Sequence, residues 1–112
     1  MASPRKPSKR STKRSEEITR RKANEKWFKE QIYARDHAEC VVCHTTTRLQ
    51  VHHLLIQSRH KALRYTTENG ILLCNGHHRF LAHGDSLAFF CWMSNNRPDQ
   101  LKWAMTQLEA NG

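Results

Sequence analysis

Two short motifs of equal spacing constrain the fold of this chain more than any other feature. Cys40 and Cys43 are separated by two residues, and so are Cys74 and His77. Thiolates and an imidazole are usual zinc ligands, so two such pairs can surround one tetrahedral ion. The long insert between the pairs must then be a structured unit whose ends return to the metal. The sequence predicts a Cys3His structural zinc site, the alternative being that one pair is incidental.

The composition favours a small domain that needs such a site. The chain has 112 residues, of which 38% are hydrophobic, so its core must be modest. Cores of this size often depend on a disulfide or a metal. No apolar segment follows the first charges, so the sequence has no secretory signal and an intracellular, cytoplasmic protein is expected. In that compartment the cysteines are expected to be thiols or metal ligands. Cys91 lies outside both pairs and is expected to be a packed apolar thiol.

The positive charge is concentrated at one end of the chain. Residues 1–29 hold eleven Lys and Arg against three Glu, whereas residues 30–112 hold eight against seven acidic residues. Such a basic arm favours a polyanion such as nucleic acid, because each contact with a phosphate releases counterions. The arm lacks the apolar face of a membrane-lying helix, and no stretch is long enough to cross a bilayer. The alternative is a tail that only keeps the protein soluble.

Local patterns predict an α+β fold with helices at both ends. Residues 1–14 are read as a disordered basic tail and residues 15–112 as the folded domain. A helix is expected from about Ser15, strands over residues 49–55 and 69–74, and a short helix over residues 75–83. A closing helix should have Pro98 in its first turn.

The stretch LQVHHLLI places His52 beside His53 in an expected strand. Neighbouring strand residues point to opposite faces, so the two imidazoles should diverge. Taken alone, the pair would most simply be one satisfied core histidine and one exposed histidine.

Together with its neighbours, the pair resembles a known family. The order Cys-x-x-Cys, a strand ending in His-His, an asparagine (Asn69), and then Leu-Cys-x-x-His-His is similar to the HNH endonucleases, including small phage proteins of this type. The likeness covers residues 40–78, about a third of the chain. It implies a zinc-stabilised ββα-metal core between N- and C-terminal helices. The second knuckle departs from the family in ending with His77 where cysteine is more frequent, a change that zinc accepts.

The resemblance also implies roles for individual residues. His52 and His78 would bind a catalytic divalent metal such as Mg²⁺ or Mn²⁺, and His53 would be the general base. Asn69 would hold the loop and help to orient that base. The CxxH spacing assigns His77 to the zinc, although the roles of His77 and His78 could be exchanged.

A third catalytic ligand is not assigned by the sequence. Some members of the family have a histidine one turn after the helix ligand, a position occupied here by Ala82. The next imidazole is His83, and on an ideal α-helix a five-residue offset points elsewhere. His83 is therefore left open as a ligand.

The expected function is metal-dependent hydrolysis of DNA phosphodiester bonds with little sequence preference. The substrate would be double-stranded or branched DNA, and no membrane partner is expected. The oligomeric state is open, since cutting both strands needs either a dimer or two successive nicks. Two alternatives are a non-catalytic zinc-stabilised DNA-binding module and a zinc domain that binds proteins. Neither needs His53 and His78 together.

Overall fold

The computed structural model describes residues 9–111, with side chains from residue 12 to residue 110. The fold is α+β, as predicted. Its elements, in chain order, are α1 (Lys9–Arg35), β1 (Leu49–His53), β2 (Gly70–Cys74), α2 (Asn75–His77), α3 (Ser86–Asn96) and α4 (Pro98–Asn111). A π-helical turn, His78–Ala82, continues α2, and 3₁₀ turns lie at Lys61–Leu63 and Thr67–Asn69. No helix in this described part of the chain is long and apolar enough to cross a membrane.

The two strands form an antiparallel hairpin with helices on both faces. His52 pairs with Ile71, and His53 pairs with Gly70. Since successive residues alternate between faces, Ile71 and Leu73 pack toward α3, against Phe89 and Met93. On the opposite face, a second group packs toward α1 and consists of Phe28, Ile32 and Leu72. The alternation therefore sends His52 and His53 to different sides of the sheet.

Gly70 allows α1 to approach the sheet closely. A Cβ atom at this position would lie 2.6 Å from Cζ of Phe28 and 2.8 Å from Cδ1 of Ile32. Real Cβ atoms do not come so near to other carbons, so any side chain here would force Phe28 and Ile32, or α1 itself, to shift. The approach brings Phe28 against the His53 ring opposite Gly70, with 5.1 Å between ring centroids.

A buried carboxylate joins α1, the sheet and the start of α4. Asp36 is 2% exposed and accepts hydrogen bonds from Arg35, from Arg97 and from the backbone N–H of Leu72. Burial alone would raise the pKa of Asp36, but the hydrogen bonds from the two arginines outweigh it and hold the pKa below its usual value of 3.8. Arg35 also donates to the carbonyl of Thr67, which ties the loop to the same network.

The Asp36→Asn substitution should destabilise the protein by about 3 kcal/mol at pH 7, because two arginines lose their buried counter-charge. A carboxyl whose folded pKa is lowered stabilises fully above its unfolded pKa and loses that contribution as the pH falls through its folded pKa. The difference between wild type and variant should therefore shrink below about pH 3.8. Urea unfolding at pH 7, 4.5 and 3 would measure it, with the exposed Glu109→Gln as control. A difference that stays constant over this range would contradict the assigned network.

Two sequence predictions differ from the structure, and one helix was not predicted at all. First, α1 begins at Lys9 instead of about Ser15, so it includes residues 9–14 of the expected tail, and residues 1–8 lie outside the described residues. Second, α3 was not expected, although Asp85 caps it by accepting from the N–H of Ala88. Its apolar residues lie on every side, so no helical stripe marks it. Third, Cys91 is exposed on α3 and not packed.

Candidate metal sites and the cleft beside them

The four predicted zinc ligands lie together. The ligand atoms of Cys40, Cys43, Cys74 and His77 are all within 4.8 Å of one another. The Sγ atoms of Cys43 and Cys74 are 3.8 Å apart, and Nδ1 of His77 lies 3.7 Å from Sγ of Cys40 and 3.2 Å from Sγ of Cys74. A tetrahedral zinc ion separates its sulfur and nitrogen ligands by about 3.5–3.8 Å. This Cys3His cluster could therefore bind zinc.

The backbone of the first knuckle is folded to present its sulfurs. The N–H of Cys40 donates to the carbonyl of Thr45, and the N–H of His44 donates to the carbonyl of Cys40. His44 and Arg48 have positive φ angles of 64° and 53°, which turn the chain back toward β1. On the other side, Cys74 is the N-cap of α2 and accepts from the N–H of His77 through its sulfur. The cluster thus joins the loop before β1 to the end of β2.

Crowding of the sulfurs changes their acidity. Burial alone would raise the pKa of Cys40, but hydrogen bonds from the backbone at Cys43, Cys74 and Val42 outweigh it and lower the pKa to about 6. The backbone at Thr45 would lower the pKa of Cys43, yet desolvation and the adjacent sulfurs outweigh it and raise the pKa. A thiolate at Cys40 therefore disfavours ionisation of Cys43, and a bound cation would relieve the repulsion between the two sulfurs.

A second cluster consists of three histidines on the α3 side of the sheet. Ligand nitrogens of His52, His78 and His83 lie within 4.8 Å of one another, and this group could also hold a metal ion. The Nε2 atoms of His78 and His83 are 3.1 Å apart. His52 is the buried member, with Phe89 at 5.5 Å from its ring. The structure thus separates His77, which joins the cysteines, from His78, which joins His52.

His83 enters this cluster because the helix is π-helical at this point. The N–H of His83 donates to the carbonyl of His78, five residues earlier. In a π-helical turn, residues five apart lie on the same face, whereas in an α-helix they diverge. The expectation that a five-residue offset points elsewhere is therefore wrong here.

Two imidazoles of this cluster, His52 and His78, are kept neutral. Burial and the neighbouring His78 and His83 lower the pKa of His52 to about 3, and burial together with His83 lowers the pKa of His78. Nδ1–H of His78 donates to Oε1 of Gln50 on β1, which leaves the lone pair on Nε2, the atom that faces Nε2 of His83. Sequence reasoning missed Gln50, although its position two residues before His52 puts it on the same strand face.

His53 lies on the α1 side and is held at both nitrogens. Its Nε2–H donates to the backbone carbonyl of Arg64 at 3.0 Å, so Nδ1 carries the lone pair. That atom accepts from the side-chain amide of Gln57 at 3.1 Å. Burial lowers the pKa of His53, and the charges of Arg64 and Lys29 also lower it. The bond to the Arg64 carbonyl and the charge of Glu25 act in the opposite direction. The net lowering makes His53 a neutral imidazole that can accept a proton.

Asn69 closes the loop that carries the Arg64 carbonyl. Its side chain is fully buried, accepts from the N–H of Leu55 at 2.8 Å, and donates to the carbonyl of Leu63 at 3.0 Å. Its backbone carbonyl accepts from the N–H of Leu54. Asn69 thus fixes the residue next to Arg64, and through it the acceptor that sets the tautomer of His53.

One cleft of about 620 Å³ connects the two halves of the candidate site. It runs between α1 and β1, and both His53 and His78 line it. Three basic side chains border the same cleft against one acid, namely Arg21, Lys29 and Arg64 against Glu25. A negatively charged ligand in this cleft would contact the neutral His53 and lie beside the three-histidine cluster.

Comparisons with protein-family models, with curated proteins and with solved structures found no match for this chain.

Proposed function

We propose that the protein is a metal-dependent DNA endonuclease of the HNH type, with a ββα-metal core stabilised by zinc. The observation that carries this proposal is the shared cleft. It is lined by a neutral histidine with a defined lone pair, His53, and by a histidine of a possible metal cluster, His78. Phosphodiester hydrolysis of this type needs a general base and a bound metal ion, and basic residues beside them attract the phosphate.

The two metal sites have different roles in this proposal. The Cys3His cluster of Cys40, Cys43, Cys74 and His77 holds a structural zinc, because thiolates favour zinc and all four positions are taken by protein. The cluster of His52, His78 and His83 would hold a catalytic divalent ion, for which three imidazole nitrogens suit a transition metal such as Mn²⁺ better than Mg²⁺. When bound, this ion stabilises negative charge on the phosphate and on the leaving oxygen.

The residues of the cleft then account for the reaction. Nδ1 of His53 takes a proton from a water molecule as the water oxygen forms a bond to phosphorus. The bond from phosphorus to the 3′ oxygen breaks, and that oxygen takes a proton from solvent. The Arg64 carbonyl keeps the Nε2 proton of His53 in place and so keeps Nδ1 as the base. The Gln57 side chain donates to Nδ1 in this structure, so it must move away before a water molecule can bind at that atom.

Cleavage of supercoiled plasmid and of a branched DNA tests the proposal. The protein should be loaded with one equivalent of zinc and then freed of weakly bound ions, because EDTA would also remove the structural metal. Nicking should need added Mn²⁺ or Mg²⁺. Loss of a residue that only hydrogen-bonds to a metal ligand lowers metal affinity by about 10–100-fold. His78→Ala removes a ligand itself, so it should lower the apparent metal affinity by more than this, and extra Mn²⁺ should restore part of the cleavage rate.

His37→Asn is the matched control, because His37 is an exposed histidine outside both clusters, with a φ of 60° that asparagine tolerates. Its cleavage rate should equal that of wild type. DNA binding by folded, zinc-loaded wild type without cleavage under any metal would reject the nuclease in favour of a binding module. The absence of salt-dependent DNA binding would favour a protein-interaction domain.

A further inference from the structure

Arg64 lies where two basic clefts meet. One is the cleft between α1 and β1 that His53 lines, called here the histidine cleft. The other, of about 350 Å³, lies between α1 and the loop after β1 and is called here the helix cleft. Both are lined by Arg21, Arg64 and Tyr65, so they meet along one face of α1.

The charges of the two clefts form one basic track. The helix cleft adds Arg20 and Lys61 to the cations of the histidine cleft, with only Glu17 opposing them. The side chains on α1 recur three or four residues apart, which places them on a single helix face. Across the two clefts five cations face two acids, Glu17 and Glu25, and Glu25 is ion-paired with Lys29, so the track is basic with its strongest charge around Arg20, Arg21, Lys61 and Arg64.

The guanidinium of Arg64 carries an unused hydrogen-bond donor. Its Nε atom is buried and has no hydrogen-bond partner within the described residues. The group lies over the Tyr65 ring, with Cζ 5.9 Å from the centroid, and the Tyr65 hydroxyl donates to the Arg21 carbonyl. A buried unpaired donor costs free energy, and a small shift of the side chain that lines both clefts would let Nε reach a phosphate oxygen, the acceptor that a guanidinium fits best.

We infer that the Arg64 side chain binds a phosphate of the DNA backbone next to the bond that is cut, and that the strand continues from the histidine cleft into the helix cleft along α1. Arg64 thereby has two separate tasks. Its backbone carbonyl orients His53, and its side chain positions the strand. The inference rests on the proposed function for the identity of the ligand as DNA.

Equilibrium binding of a short DNA duplex tests this assignment. The measurement should use the His53→Ala background, so that no cleavage occurs, over a series of salt concentrations. Arg64→Gln keeps the backbone carbonyl and should weaken binding about 10- to 100-fold at low salt, because a charge-assisted hydrogen bond is lost. The slope of log affinity against log salt should fall by about 0.9. Arg64→Lys keeps the positive charge but lacks the planar set of guanidinium donors, so it should bind DNA more tightly than Arg64→Gln and more weakly than Arg64. If Arg64→Gln misfolds, Arg64→Lys takes its place in the test.

Arg59→Gln is the matched control, since Arg59 is an exposed arginine on the same loop that lines neither cleft. It removes the same charge and should change affinity about threefold or less. Equal affinities and equal salt slopes for Arg64→Gln and Arg59→Gln would overturn the inference while leaving the nuclease intact. Arg64-dependent binding by a protein that never cleaves would support it and reject the nuclease. A wild type that binds no DNA would reject both.

Discussion

The Cys43→Ser variant is expected to lose its zinc and most of its folded population. Cys43 is the exposed member of the Cys3His cluster and belongs to neither core group, so its sulfur could bind a metal but has almost nothing to pack against. Structural zinc sites contribute about 10–16 kcal/mol of apparent binding free energy, and that contribution is lost with the ion. Domains of this size have a total stability of about 5–15 kcal/mol, so the loss is large.

Zinc content by native mass spectrometry and urea unfolding with and without a chelator would measure this effect. Cys91→Ser is the matched control, because Cys91 is also an exposed cysteine but lies outside the cluster. Wild type and Cys91→Ser should each hold one tightly bound zinc and unfold when it is removed. A Cys43→Ser protein that retains wild-type stability, or a wild type that is indifferent to the chelator, would show that the cluster does not hold the fold together.

The parts of the site that could be predicted from sequence depend on local spacing. Two residues between ligands fix the reach of each knuckle, and adjacency on a strand sends His52 and His53 to opposite faces, as the structure has them. Pro98 likewise marks the start of α4, because its ring suits only a first turn. In each case the physical constraint acts within a few residues, so the sequence displays it.

The parts that could not be predicted depend on distant partners or on an unusual helix. Asp36 meets Arg97 from 61 residues away, and nothing near either residue indicates the pairing. His83 reaches its cluster only because residues 78–82 form a π-helical turn, which no propensity favours. The role of the Arg64 carbonyl could not be predicted, because every residue has a carbonyl and only the fold of the loop places this one beside His53.

The second large effect is expected at the base itself. His53→Ala should lower the cleavage rate by about 10²–10⁴-fold, the usual contribution of a positioned general base. Metal binding by the three-histidine cluster should persist, because His53 lies on the opposite face of the sheet from His52, His78 and His83. DNA affinity should also persist, since the cleft keeps its basic side chains, namely Arg21, Lys29 and Arg64.

Single-turnover cleavage of plasmid at saturating Mn²⁺ would measure the chemical step separately from binding. The ring of His53 also stacks on Phe28, so a loss of packing could lower the rate by loosening α1. His53→Gln separates the two effects, because it fills part of the same space and bonds the Arg64 carbonyl but has no basic nitrogen. Equal losses in His53→Ala and His53→Gln, with unchanged thermal unfolding of the latter, identify the imidazole as the base. A His53→Gln protein that cleaves at the wild-type rate would remove His53 from the reaction and leave the three-histidine cluster as the sole source of catalysis.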